Sequence, residues 1–316
     1  MRAAVVSELG RVPEAREVPD PAPGEGEMLM EVLAAPINPI DVAVGAGRFY
    51  GGHPELPYVP GCECVGRVAG TRELVWAHGG GLGVRRDGGM AQLLAAPLEA
   101  LLPLPDDADP VLAGALGIAG LAGWLPVVWR ARVRENDVVL VLGATGTVGL
   151  VAVQAAKLLG ARRVVAAGRA PEGLARAAEV GADATVRLDE EDLTAAFRDA
   201  CGGDGPTYVV DPLWGEPLEA AVGAAAPGAR VVNIGQSAGP AATLTSAAVR
   251  GKQLEILGYS NFTAPADVRA REYRGLVERA TRGEVRVDVE EVPLERVADA
   301  WRRQAEGAGR KLVLVP

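Results

Sequence analysis

Metal-binding and disulfide-forming side chains are scarce in this chain. Its 316 residues include three cysteines and two histidines, and aromatic residues make up only 4% of the total. Cys62, Cys64 and Cys201 are too few for a disulfide framework, and no closely spaced cysteine quartet offers a structural zinc site. His53 and His78 stand beside glycine or proline without ligand-like spacing, and we interpret both as loop residues. The sequence therefore predicts no bound metal.

Long apolar runs and an excess of basic residues are also absent. No run approaches the roughly 20 apolar residues that span a bilayer. The opening residues lack the apolar region and cleavage site of a signal peptide, so we expect a cytoplasmic location. The net charge of -9 and the isoelectric point near 5.0 argue against nucleic-acid and anionic-membrane partners, because both require a basic face.

The chain is longer than a single hydrophobic core usually supports, so we expect two domains. Its sequence shows two different patterns. Residues 1–115 contain short strand-like runs separated by glycine and proline, which predicts a β-rich domain. Residues 116–261 alternate apolar β-branched runs with alanine-rich helical segments, which is typical of a doubly wound parallel sheet. Its six predicted strands are 138–142, 163–167, 184–188, 208–211, 230–234 and 254–258. Residues 262–316 look like the β-rich domain resuming.

The most informative motif is a glycine-rich turn between the first of these strands and a helix. Glycines at 143 and 146 let the backbone approach a pyrophosphate, and a glycine at 149 permits close packing of helix on strand. The helix N-terminus offers unpaired N–H groups to phosphates. A tight turn that binds nothing is the alternative. We expect a dinucleotide to contact Gly143, Thr145, Gly146, Thr147, Val148 and Gly149.

The end of the second predicted strand indicates which dinucleotide. Gly168 and Arg169 stand where an acidic residue would accept a hydrogen bond from a free ribose 2′-hydroxyl. A guanidinium pairs instead with a 2′-phosphate, which favours NADPH over NADH. Arg187, at the end of the third strand, is a second candidate partner. The alternative is that Arg169 is an ordinary surface arginine, neutralised by Glu172.

Several segments together resemble the medium-chain dehydrogenase/reductase superfamily over nearly the whole chain. They are AAPINPIDVAVGAG (34–47), PGCECVG (60–66), the GATGTVG turn with the helix after it, EVGADATV, GARVVNIG and the ending GRKLVLVP. The resemblance implies a GroES-like catalytic domain in residues 1–115, completed by 262–316, and a Rossmann NADP-binding domain in 116–261. It also implies a homodimer joined through the last Rossmann strands.

Zinc ligands of related alcohol dehydrogenases fall, by this resemblance, on Asn38, Cys62 and about Ile118. A catalytic zinc needs three nitrogen, sulfur or carboxylate ligands, and only one thiolate remains here. The chain therefore resembles the zinc-free quinone oxidoreductase branch. We expect Cys62 and Cys64 to be buried small hydrophobes that share one face of a strand.

Without a metal, conjugated acceptors are easier to reduce than simple ketones, because the anion formed on hydride transfer is delocalised. The resemblance implies that Asn38 donates a hydrogen bond to the acceptor carbonyl; the alternative is an asparagine that caps the loop between two prolines. Tyr50 matches a tyrosine proposed as proton donor in related enoyl reductases, or else forms an aromatic pocket wall. Asp41 more simply caps the following helix.

Strand ends opposite the turn should line the dinucleotide crevice, because ligands bind at the carboxyl ends of parallel strands. These residues are Pro212, Leu213, Ile234, Gly235, Gly258, Tyr259 and Ser260. Leu188 departs from the resemblance, which leads us to expect a tyrosine in contact with the adenosine there. The sequence thus predicts an NADPH-dependent reductase of a quinone or activated enone. An enoyl-thioester or tailoring reductase of a biosynthetic pathway and a non-catalytic NADPH-binding protein remain open as alternatives.

Overall fold

A computed structural model describes all residues from Met1 to Pro316. It contains fifteen strands: β1 Arg2–Val5, β2 Glu14–Glu17, β3 Glu27–Pro36, β4 Glu63–Val68, β5 Leu74–His78, β6 Leu93–Pro97, β7 Leu101–Pro103, β8 Val138–Val141, β9 Arg163–Gly168, β10 Ala184–Arg187, β11 Tyr208–Asp211, β12 Arg230–Asn233, β13 Glu255–Gly258, β14 Val289–Pro293 and β15 Lys311–Val315. Ten α-helices connect them: α1 Pro39–Gly45, α2 Pro110–Leu116, α3 Ile118–Leu125, α4 Thr147–Leu158, α5 Pro171–Glu179, α6 Leu193–Ala200, α7 Gly215–Ala224, α8 Ser246–Gly251, α9 Ala266–Thr281 and α10 Val297–Glu306.

The chain divides into two compact units. Unit 1 comprises residues 1–119 and 273–316, and unit 2 comprises residues 120–272. The changeovers predicted from the sequence lie after residues 115 and 261, whereas the structure divides the chain within α3 and within α9.

Unit 1 is built on a seven-stranded sheet in the order β14-β15-β3-β4-β5-β7, with β6 paired to β3. Its strands alternate inward and outward side chains, and Met30, Leu94, Leu312 and Leu314 are buried in one core. His78 is the last residue of β5, buried and stacked on Trp76 with ring centroids 4.8 Å apart. Our interpretation of His78 as a loop residue was therefore wrong, because β5 extends to this residue and ends directly before the glycine run.

Unit 2 is a six-stranded parallel sheet in the order β10-β9-β8-β11-β12-β13. This is the doubly wound order in which the chain reverses direction between its first and fourth strands. Every side chain of β8 is buried, as expected for a central strand covered by helices on both faces. The predicted Rossmann sheet is confirmed, and its six strands match the predicted ranges to within one residue.

A single π-helical turn, Pro126–Arg130, follows α3 and was not predicted. The buried hydroxyl of Tyr208 donates to the carbonyl of Pro126 at 2.6 Å, and Arg230 donates to the carbonyls of Ala131 and Arg132. These side-chain bonds hold the turn in addition to the backbone bond from the Ala131 N–H to the Pro126 carbonyl. No single helix is long and apolar enough to cross a membrane; the pair 110–116 and 118–130, bent by 49°, reaches that length and hydrophobicity together.

Candidate functional site

The glycine-rich turn in unit 2 leaves the start of α4 open. Gly143 has a left-handed φ of 62°, and Gly146 is the extended N-cap of α4, without a side-chain cap. The N–H groups of the first helical turn, which includes Thr147 and Val148, have no carbonyl partner within the helix. A Cβ on Gly149 would lie 2.4 Å from the Cα of Ala144, whereas a Cβ on Gly146 would meet nothing within 4 Å. The turn therefore fits a phosphate group, with open space at Gly146.

Thr145 has a packing role within this turn. A Cβ on Gly168 would lie 2.3 Å from its Cγ2 atom, and a Cβ on Gly173 would lie 2.5 Å from its Cβ atom. The threonine side chain thus fills the space that side chains at both glycines would need. Gly168 is consequently required by the packing of Thr145, a role that the sequence pattern did not reveal.

The carboxyl ends of β8, β11 and β12 meet beside the turn. A Cβ on Gly143 would approach the Pro212 ring to 3.1 Å and the Leu213 side chain to 3.2 Å, and a Cβ on Gly235 would lie 2.7 Å from the Pro212 carbonyl oxygen. The buried carboxylate of Asp211 accepts the N–H of Leu213 at 2.9 Å and so fixes this loop. The neighbouring predicted residues, each exposed or half-buried, are Ile234, Gly258, Tyr259 and Ser260.

Two arginines emerge at one corner of the parallel sheet. Arg169 follows β9, and Arg187 ends β10 in register with Gly168, so both lie at the same carboxyl edge. Arg187 is engaged by Asp189: its Nε donates to Oδ1 at 2.8 Å, and this ion pair raises the pKa of the guanidinium. Arg169 is exposed and forms no ion pair, with Glu172 or with any other acid. It is therefore the arginine available to an anion here.

A buried polar cluster lies in unit 1. Asn38 and Glu63 have no exposed surface, and Lys311 is 3% exposed. The Asn38 amide nitrogen donates to Glu63 Oε1 at 2.9 Å, and its amide oxygen accepts from the Lys311 ammonium. Glu63 Oε2 accepts from the Trp76 indole at 2.9 Å and from the Ile118 backbone N–H at 2.8 Å. Asn38 therefore bridges a buried cation and a buried carboxylate.

Burial sets the protonation of this cluster. It raises the pKa of Glu63 to about 7, although Lys311 and the N–H donors oppose the shift. It lowers the pKa of Lys311 to about 8, opposed by Glu63 and Asp41. Because these two pKa values lie close together, a change in the protonation of one group alters the protonation of the other.

Asp41 closes the other side of the cluster. Its carboxylate accepts the backbone N–H of Asn38 at 2.7 Å and that of Cys62 at 2.8 Å, so it fixes the start of α1. Burial, together with the neighbouring Asp41 carboxyl group, raises the pKa of the Cys62 thiol well above its ordinary value. Cys62 precedes β4 and packs with Tyr58, whereas Cys64 belongs to the larger core, so the expectation of a shared face was wrong.

The donors at this place do not fit a zinc ion. At the three positions of the zinc-dependent relatives stand an amide bonded to an ammonium group, a protonated buried thiol and a backbone N–H. An ammonium beside the first position repels a second cation, and a cysteine binds zinc only as the thiolate. The chain has no group of three or more His, Cys, Asp or Glu side chains arranged to hold a metal.

Tyr50 lies outside the buried cluster. Its side chain is 88% exposed, and its ring centroid lies 4.4 Å from that of Phe49. By contrast, Tyr58 is buried against Cys62, and its hydroxyl has no hydrogen-bond partner. The sequence alone assigned no role to Lys311 or to Glu63. The signal that could have found them is a single charge inside each of two otherwise apolar strand runs, CECVG and KLVLV.

Comparison with known families and structures gives consistent matches. The alcohol dehydrogenase GroES-like domain matches residues 24–106, and the zinc-binding dehydrogenase domain matches residues 147–281. The quinone oxidoreductase of Rattus norvegicus is 27% identical over 327 residues, covering 100% of this chain and 98% of the relative.

Solved structures agree over the full length. The quinone oxidoreductase of Thermus thermophilus, solved alone and with NADPH, is 29% identical, with a TM-score of 0.83 and 100% of each chain covered. A structure described as an NAD-dependent alcohol dehydrogenase is also 29% identical, with a TM-score of 0.87 and 100% of each chain covered. The comparisons therefore agree on the fold and on a nicotinamide-dependent oxidoreductase, and they differ in the dinucleotide named.

Proposed function

Because this chain belongs to the quinone oxidoreductase branch of the medium-chain dehydrogenase/reductase superfamily, we propose that it reduces a quinone or activated enone with NADPH, without zinc. The proposal goes beyond an NAD(P)-dependent oxidoreductase in three respects: the choice of dinucleotide, the absence of a metal and the class of acceptor.

The observation that carries the choice of NADPH is the sheet corner at Arg169. No carboxylate ends β9, so nothing there accepts a hydrogen bond from a free 2′-hydroxyl. Arg169 has no competing acid, and a guanidinium can form paired charge-assisted hydrogen bonds with a 2′-phosphate. Gly143, Gly146 and the first turn of α4 would hold the pyrophosphate.

The bound dinucleotide would supply a hydride, that is, one proton with two electrons. On an enone the hydride adds to the β-carbon and gives an enolate, and a proton from solvent then adds to the α-carbon. On a quinone, one hydride and one proton give the hydroquinone. The protein's task is to stabilise the oxygen that becomes negative, and Asn38 is the donor that we propose for it. Tyr50 is too exposed to be our first choice of proton donor.

The test measures oxidation of NADPH and of NADH against a panel of quinones, enals and enoyl-thioesters. We expect the parent to prefer NADPH and a quinone or enone, with activity unchanged by chelators. Arg169→Asp should weaken NADPH binding about tenfold or more, because a charge-assisted bond is replaced by repulsion. The matched control is Arg162→Asp, an exposed arginine just before the opposite end of β9, which should leave binding unchanged.

Each part of the proposal can fail separately. Better use of NADH by the parent would overturn the assignment of Arg169, and loss of turnover with chelators would overturn zinc independence. Preference for enoyl-thioesters would favour a tailoring reductase. Tight NADPH binding without turnover of any acceptor would favour a non-catalytic role.

We also propose a homodimer joined at β13. This strand is at the edge of the parallel sheet, paired only with β12, and its side chains are half-buried or exposed. An open strand edge is a ready surface for pairing with a second copy. Sedimentation equilibrium tests it: a monomer at micromolar concentration would contradict it. The cytoplasmic location stays a prediction from the sequence.

A further inference from the structure

The orientation of the Asn38 amide is fixed by the chemistry of its two partners. An ammonium group can only donate, so it must face the amide oxygen. The Glu63 carboxylate accepts three N–H groups and, when ionised, can only accept, so it must face the amide nitrogen. The reversed amide would set donor against donor and acceptor against acceptor. A buried arrangement of that kind is strongly unfavourable.

One hydrogen of this amide is left without an acceptor. The Asn38 side-chain nitrogen carries two hydrogens, and Glu63 takes one of them. Asn38 has no exposed surface, so bulk solvent does not reach the other. Leaving a buried donor unpaired is costly, and a catalytic role is one of the reasons for which a protein retains such a group.

We propose that Lys311 and Glu63 are positioning residues that hold the Asn38 amide so that its second N–H serves the acceptor oxygen. This inference rests on the proposed function. Lys311 and Glu63 together carry no net charge when both are ionised, so their contribution is orientation. Neither touches the acceptor. Asp41 acts at the backbone of the same residue, and it completes the set of charged groups that face Lys311.

The test uses the charge-balanced variant Lys311→Met/Glu63→Gln, since changing Lys311 alone would leave a buried carboxylate uncompensated. It is compared with the parent, with Asn38→Ala and with the triple variant. The first readout is kcat and KM for quinone reduction. The second needs no turnover: binding of 4-nitrophenol and 4-nitrophenolate in the presence of NADP⁺, followed by absorbance, because the phenolate imitates the negative acceptor oxygen.

We expect the double variant and Asn38→Ala each to lose about tenfold in phenolate affinity and in kcat, with phenol affinity and KM little changed. The triple variant should lose no more than Asn38→Ala, because the positioning acts through that residue. A thermal melt checks that each variant folds. If the double variant does not fold, Glu63→Gln is measured alone above about pH 8, where Lys311 is largely uncharged, and it carries the same prediction with a smaller loss.

Parent-like phenolate binding by the double variant would overturn the positioning role, and so would an additive loss in the triple variant. Parent-like binding by Asn38→Ala would overturn it too. If the phenolate results hold but no quinone or enone is reduced, the proposed function fails and the positioning stands. If turnover is present without the phenolate pattern, the positioning fails and the proposed function stands.

Discussion

The glycine-rich turn of unit 2 and the buried polar cluster of unit 1 are built from different chemical groups. In unit 2 the glycine-rich turn is made of backbone, and Gly149 is needed there because its Cβ would lie 2.4 Å from the Cα of Ala144. In unit 1 the cluster is made of buried charged side chains, and Gly117 is needed because its Cβ would lie 1.8 Å from Glu63 Oε2. The first is insensitive to protonation, and the second depends on it.

The difference teaches why only one of the two sites can be recognised in the sequence. A backbone site requires particular residues at consecutive positions, and the pattern is therefore visible locally. A charge cluster requires only that distant residues meet, as Asn38 and Lys311 do across 273 positions. Three experiments test the contrast, from the largest expected effect to the smallest.

Gly149→Ala should damage unit 2 most, because the added methyl group meets backbone atoms that cannot move aside. We expect a loss on the order of 3 kcal/mol in the free energy of unfolding, together with loss of NADPH binding. Urea denaturation and fluorescence titration measure the two effects. Gly146→Ala is the matched variant: its methyl group has free space, so stability should hold while nucleotide binding falls. Equal stability of Gly149→Ala and the parent would contradict the backbone account.

The stability of unit 1 should depend on pH in a way that unit 2's turn does not. Between about pH 4.5 and 7 the folded state retains a proton on Glu63 that the unfolded chain has lost, so this contribution to the free energy of unfolding falls as pH rises. Between about pH 8 and 10.5 the unfolded chain retains a proton on Lys311 that the folded state has lost, so stability rises again.

The pair should therefore cost most between pH 7 and 8. Urea unfolding of the parent and of Lys311→Met/Glu63→Gln across pH 4 to 10.5 isolates its contribution. We expect the parent's curve, relative to the variant's, to dip by on the order of 2 kcal/mol in that window. A difference that is flat with pH would show that the two groups titrate as in the unfolded chain.

The smallest effect should come from Asp189, which engages Arg187 at the exposed corner of unit 2. Asp189→Asn releases the arginine toward the 2′-phosphate, so NADPH affinity should rise only about two-fold, because solvent screens exposed ion pairs. NADH affinity should not change. Titration of both dinucleotides at low and high salt measures this. A rise for NADH as well would mean that Asp189 acts on the adenosine generally.

Regular structure was predictable where a pattern is local. The strands of unit 2 follow from apolar β-branched runs, and β15 follows from KLVLV alone. The π-helical turn at 126–130 was not predictable, since the bonds that hold it come from Tyr208 and Arg230, far along the chain. The motif at 143–149 could be identified because its residues are consecutive. The partners of Asn38 could not, because they are distant in the sequence. Tyr50 was chosen because the resemblance matches it to a tyrosine of enoyl reductases, and such a match does not show how exposed the side chain is.

The contact between Thr145 and Gly168 has a consequence for redesign. Installing an acidic residue at Gly168 is an obvious route to NADH specificity, yet its Cβ would lie 2.3 Å from the threonine methyl group. An acidic residue at position 168 therefore needs a smaller residue at position 145 as well. Introduced into the parent sequence alone, it would clash with Thr145. Arg169, one residue further along, is exposed and needs no second change. Substituting this arginine is therefore the simpler way to alter the dinucleotide preference.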